Sequence, residues 1–259
     1  MKTSIKILIA TLACNLGIAH AQIAADNAGN YSGWGHSDNG GFGFLPWAIS
    51  SNDGGGNFAG TFIGDSTFGA GDINTGGQSF GLYANPGSAF VNADRGFASP
   101  LSLGEVFTFD MALNFDNGSK GFVLFAGTQG EVFNFNVGGG GGVSSNNATL
   151  NPGAGAGYDY GGNDAVLNLS FGYVSDEVVS YSISRSSESG NQGVLFSGTV
   201  SNLFDAPSGF RFYNSGTDNG LDQNNLYFNN LQVIPEPGTL LLLVGGLGAI
   251  AAYRRKMRA

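Results

Sequence analysis

In the stretch GEVFTFDMALNF the apolar side chains Phe107, Phe109, Met111, Leu113 and Phe115 recur at every second position, with Thr108, Asp110, Ala112 and Asn114 between them. A period of two sends successive side chains to opposite faces of a pleated strand, so one face is predicted to be buried and the other wet. The same beat returns in EVFNFNV with Phe133, Phe135 and Val137, and in VLNLSFGY with Leu167, Leu169, Phe171 and Tyr173. It returns again in VVSYSIS with Val179, Tyr181 and Ile183. Shorter candidate strands begin at Gly121, Gly193, Gly209 and Asn225, each bounded by Gly, Asn, Asp or Ser. Asp116-Asn117-Gly118 and Asp218-Asn219-Gly220 read as tight turns, because Asn and Gly accept the positive φ such turns need.

Between residues 31 and 97 the apolar residues come in small groups, FGFLPWAIS, NFAGTFIG, QSFGLYAN and SAFVNA, separated by Gly-rich turns. Short strands and ordered loops are expected there, since disordered segments are poor in aromatics. Residues 138–163, GGGGGVSSNNATLNPGAGAGYDYGGN, read as a long hairpin loop. Regularly spaced strands with no helical pattern between them predict an all-β fold, a single antiparallel β-sandwich.

The two ends of the chain break this pattern. Lys2 and Lys6 precede an apolar run, and Ala19-His20-Ala21 supplies a small-x-small cleavage pattern, so residues 1–21 read as a signal peptide. The single Cys14 lies within it, which leaves residues 22–233, the expected sandwich domain, without disulfides. At the other end, residues 239–253 are apolar and lie between Pro235-Glu236-Pro237 and the basic cluster Arg254, Arg255 and Lys256. As a helix, fifteen residues reach ~22 Å, against a hydrocarbon core of ~30 Å.

Charge sharpens the reading. Between residues 22 and 234 four basic residues, Arg95, Lys120, Arg185 and Arg211, face eighteen acidic ones, a body charge of −14 beneath a whole-chain value of −9. Such a body repels nucleic-acid backbones, whose binding needs Lys and Arg to displace counterions. No nucleic-acid partner is expected.

The order Pro-Glu-Pro, apolar run, basic tail over residues 234–259 resembles the PEP-CTERM sorting signal of exported proteins of Gram-negative bacteria. The resemblance implies a precursor held transiently in the inner membrane, recognition of Pro235, Glu236 and Pro237 by a membrane-embedded exosortase, and passage to the cell surface or an exopolysaccharide matrix. The physics fits: Arg254, Arg255 and Lys256 hold the C-terminus on the cytoplasmic side, and the two prolines disfavour helix around the triplet. A plain anchor with a basic stop-transfer signal is the competing reading. The body, through GFGFLPWAIS, GDINTGGQSFGLYAN, LSLGEVFTFDM and RFYNSGTDNG, is similar to a bacterial surface module that precedes this signal. That similarity implies a concanavalin-like or jelly-roll sandwich and no defined activity.

Candidate chemistry is sparse. The mature chain has one histidine, His36, beside Ser37 and Asp38 only in sequence, so triads and multi-histidine zinc sites lack parts. Glu105, Glu131, Glu177 and Glu188 lie far apart, without the clustered carboxylates of sandwich glycosidases. No catalytic residue is expected. Calcium is the one cofactor the composition admits, with Asp218, Asn219, Asp222 and Asn224 as the best oxygen set and Asp65 with Asp72 as a weaker one; ordinary turn formation is the plainer reading of both. Extracellular polysaccharide is a candidate partner, with aromatic faces at Trp34 or at Tyr158 and Tyr160 of the long loop to stack on sugars. Burial in the core is the plainer reading of Trp34 and of Trp47.

Overall fold

The computed structural model describes residues 22–115, 117–137, 142–145, 165–186, 193–217 and 220–235. These build two antiparallel sheets, laid face to face by the aromatic ring contacts between them. In chain order the strands are β1 (Ala24–Asp26), β2 (Ala48–Ser51), β3 (Phe58–Gly64), β4 (Ser79–Asn85), β5 (Phe90–Gly96), β6 (Glu105–Leu113) and β7 (Ser119–Ala126). They continue as β8 (Gly130–Val137), β9 (Gly142–Ser145), β10 (Ala165–Ser175), β11 (Val178–Arg185), β12 (Gly193–Val200), β13 (Pro207–Ser215) and β14 (Leu226–Pro235). The larger sheet runs β12-β11-β10-β6-β14-β4-β3, with β1 added beside β14; the smaller runs β2-β5-β13-β7-β8-β9.

The expected period-two strands are β6, β8, β10 and β11, and their apolar sets point inward. Phe107, Phe109, Phe171 and Ile183 are all buried. Rings from the two sheets interleave: Phe212 of β13 stacks on Phe228 of β14 with centroids 3.7 Å apart, Phe107 on Phe210 at 4.8 Å, and Phe109 meets Phe122 at 4.5 Å. Each such pair adds ~0.5–1.5 kcal/mol beyond the area it removes from water. The apolar groups of residues 31–97 became β2 to β5, as the Gly-bounded clusters predict.

Among the described residues an ion pair also crosses between the sheets. Asp26 of β1 and Arg95 of β5 form an ion pair with both side chains fully excluded from solvent. The Tyr31 hydroxyl donates to Asp26 at 2.5 Å, and Arg95 Nε donates to the Leu45 carbonyl at 2.8 Å. The guanidinium lies 4.8 Å from the Phe44 ring and 4.6 Å from the Trp47 ring. Burial, and then the bond to Asp26, push the Tyr31 hydroxyl pKa up, so it stays a neutral donor.

Residues 65–78 fold back over the outer face of the larger sheet. Ala70 and Ile73 pack there on Ala112 and Tyr227, which buries Ala112 where alternation alone predicts exposure. Asn229 of β14 ties this segment down: its amide donates to the carbonyls of Ile73 and Gln78, both at 2.9 Å, and accepts from the Ala28 N–H at 2.9 Å. Gly81 is needed beneath Phe62, whose ring would lie 2.2 Å from any Cβ placed there. Gly118 takes φ +72° after Asn117, as the turn signal predicts.

Candidate functional site

On the outer face of the larger sheet, the polar residues between the buried ones line up across strands. Register pairs Ser182 of β11 with Ser170 of β10, Ser170 with Thr108 of β6, and Thr108 with Gln232 of β14. The neighbouring row pairs Ser184 with Asn168 and Asn168 with Asp110. These two rows form a groove of about 260 Å³, with Asn230 completing its wall.

Asn230 reaches that wall because β14 shifts register against β6 between Asn229 and Gln232, and Asn230 takes φ +56°. A bulge re-aims a side chain in this way, and Asn tolerates the left-handed region better than bulky residues do. The Asn230 amide donates to Asp110 Oδ2 at 2.8 Å, and the Asn168 amide donates to Asp110 Oδ1 at 2.5 Å. Thr75, from the segment that folds over the sheet, donates its hydroxyl to Asn230 Oδ1 at 2.5 Å. The Thr108 hydroxyl is shielded from water and has no hydrogen-bond partner among the described residues.

The groove therefore presents hydroxyls, amides and one carboxylate at strand spacing. Phe109 and Leu169 also line it, but their side chains are buried. A surface of this composition suits hydrogen bonding to a polyhydroxylated ligand. Asp110 is the one carboxylate among the lining residues, whereas glycoside hydrolysis by the usual route takes two, ~5–10 Å apart.

Of the residues expected from sequence, those among the described ones do not line this groove. Trp34 is a core residue: its ring meets Trp47 at 5.2 Å, Phe80 at 4.9 Å and Phe228 at 5.5 Å, so its faces are occupied by protein. The aromatic-rich context that made it a sugar platform is the context that buries it. Tyr158 and Tyr160 lie outside the described residues, as do Asp218 and Asn219, Glu236 and Pro237, and Arg254, Arg255 and Lys256.

Of the calcium set, Asp222 is exposed while Asn224 is buried. The Asn224 carbonyl accepts from Lys120 Nζ at 2.8 Å, and the same ammonium donates to the Phe115 carbonyl at 2.8 Å. Asp65 accepts from the Thr67 N–H, the Thr67 hydroxyl and the Asn74 amide, which hold its carboxyl below the usual range. It is a turn residue, and Asp72 likewise accepts from the Asn74 N–H at 3.0 Å. Among the described residues no group of three or more His, Cys, Asp or Glu is placed to hold a metal ion. His36 is an exposed loop residue whose Nδ1 accepts from the Ile49 N–H at 3.2 Å.

Pro235 is the last residue of β14, in register with Glu105 at the start of β6. Among the described residues no helix is long and apolar enough to cross a membrane, and the apolar run 239–253 lies outside them.

Comparison with known proteins agrees with both parts of the chain. Residues 233–258 match the PEP-CTERM protein-sorting motif. The body is similar in fold to part of a sialidase, with 10% identity over 83% of this chain and a TM-score of 0.52; the chain spans 19% of that protein's length. Also similar are the cellulose-induced protein Cip1, 12% identical over 72% of this chain and 90% of its own with a TM-score of 0.44, and a family 11 carbohydrate-binding module from Clostridium thermocellum. That module was solved with a β-1,3-1,4-mixed-linked tetrasaccharide and is 12% identical over 83% of this chain and 98% of its own, with a TM-score of 0.37. No curated protein matches the chain in sequence.

Proposed function

We propose that this is an exported surface or matrix protein without catalytic activity, delivered by exosortase processing and associated with extracellular polysaccharide. In this reading residues 1–21 are removed on export, residues 22–233 form the sandwich, and residues 234–259 hold the precursor in the inner membrane until the triplet is processed. The observation that carries it is the sorting motif at 233–258, which continues directly from the last strand of the sandwich. Mass spectrometry of the C-terminus of protein recovered from the cell surface and medium tests it. A terminus close to residues 235–237 is the expected result, and an intact tail on a cytoplasmic protein would end the reading.

The groove favours a second, more specific reading, a lectin-like module. Its rows of hydroxyl and amide groups support hydrogen bonding to sugars, and the lack of an aromatic platform among the lining residues points to weak contacts repeated along a polymer. Calcium assistance belongs to this reading only. Titration of the purified body with the producing organism's polysaccharide, with and without chelator, tests it; absence of binding in both conditions removes it.

A further inference from the structure

Four loops meet at the end of the sandwich where β14 delivers Pro235. The Gly104 N–H donates to the Tyr173 carbonyl, the Leu101 N–H to the Pro207 carbonyl, and the Leu203 N–H to the Glu177 carbonyl. The Phe204 N–H donates to Gln129 Oε1 at 2.8 Å. On this knitted surface large apolar side chains stand in water: Phe204 is 83% exposed, Leu103 54% and Val174 45%. Ile23, whose N–H bonds the Val233 carbonyl, is 43% exposed and borders an apolar crevice of about 180 Å³ with Phe97, Pro100 and Leu101.

The opposite end also exposes Phe58, Phe90 and Leu221, so apolarity alone does not distinguish the two. The exit of the chain does. From Pro235 to Thr239, where the apolar run begins, there are four residue steps, no more than ~14 Å even fully extended. The run itself falls short of the bilayer core, and such a mismatch draws flanking residues towards the headgroups. The tether therefore holds this end against the membrane at a high effective concentration.

The geometry points to this end of the sandwich as a lipid-docking surface of the membrane-held precursor, with Phe204, Leu103, Val174 and Ile23 entering the boundary between headgroups and acyl chains. This rests on the sorting reading of 233–258. Glu105, Glu131, Asp176, Glu177 and Asp205 lie in the same loops and strand ends, and the loop segments 99–104, 127–130, 174–177 and 203–206 contain no Lys or Arg. The contact is thus apolar, and anionic lipid opposes it.

Full-length chain reconstituted in phosphatidylcholine vesicles with brominated acyl chains tests this. Single variants Phe204→Trp and Leu103→Trp at the docking end are compared with Phe58→Trp at the far end; Trp34 and Trp47, being buried, supply a constant background. Tryptophan at 204 and 103 is expected to be quenched at least twofold more than at 58, and less so when phosphatidylglycerol is added. Equal quenching at both ends of vesicle-bound protein overturns the docking surface, and contact that appears only when an exosortase is co-reconstituted reassigns it to that enzyme. Failure of the chain to float with vesicles overturns the membrane-held precursor itself, and the proposal with it.

Discussion

Asp26 and Arg95, 69 residues apart in the chain, close a fully buried ion pair between the two sheets. Two charges cost heavily to dehydrate, and here the cost is offset by further partners: Tyr31, Asn30 and the Asn27 N–H on the carboxylate, Asn39 and the Leu45 carbonyl on the guanidinium. Arg95→Met leaves a buried carboxylate behind, and a loss of ~3–5 kcal/mol is expected. The double variant Asp26→Leu/Arg95→Met is expected to lose much less than the sum of the single ones. Urea unfolding of the four proteins measures both.

Asp110 is held by the amides of Asn168 and Asn230 and is partly exposed on the groove floor. On the proposed lectin-like reading, Asp110→Ala is expected to weaken polysaccharide binding about tenfold, the ~1.4 kcal/mol of one charge-assisted hydrogen bond, with little change in melting temperature. Calorimetric titration beside a thermal melt separates the two effects.

Lys120 holds the carbonyls of Phe115 and Asn224 from a side chain with no exposure. Lys120→Met is expected to cost ~2–3 kcal/mol by stranding these oxygens. With the ammonium tying the Phe115 and Asn224 carbonyls together, EDTA is expected to leave the melting temperature of the wild-type protein unchanged. A drop of several degrees on chelation would restore a metal to this turn.

Asp205 accepts from both the N–H and the hydroxyl of Thr128 at 2.7 Å, and these bonds hold its carboxyl below the usual range. A depressed carboxylate contributes stability that is fully present above its unfolded value of ~3.9 and is lost as pH falls through the lower folded value. The turn at 127–130 is therefore expected to stay closed at neutral pH and to open only in acid. Amide exchange at Thr128, followed by NMR from pH 6 to pH 2.5, reads this, and Thr128→Val is expected to move the onset to higher pH.

The strands were legible where one sheet face is dry. In β6 the alternation of Phe107, Phe109 and Met111 is unbroken because each side chain is buried in the core between the sheets. Ala112 departs from that pattern because a segment 40 residues upstream, around Ala70 and Ile73, folds over it, and nothing local records such a visit. The groove was half legible: its residues are the polar members of the alternation, but register places Thr108 beside Ser170 and Gln232, and register lies between strands rather than within them. Trp34 shows the converse, since an aromatic residue in a Gly-rich loop has the same local signature whether it faces sugar or Phe228. The Asp26–Arg95 pair had no signal, because each is a charged residue at a buried position of the alternation, Arg95 after Val91 and Ala93 and Asp26 after Ala24, where the pattern calls for an apolar side chain.

The continuity of β14 with Pro235 also has a mechanical side. The strand is internal to its sheet, bonded to β6 along one edge and to β4 and β1 on the other. A pull applied at the end of β14, along its length, loads those hydrogen bonds together in shear instead of opening them one at a time like a zipper. Whatever is joined to the chain near Pro235 is thereby fastened to a strand bonded on both edges, so tension applied there is shared by three neighbouring strands instead of unravelling the body from its terminus.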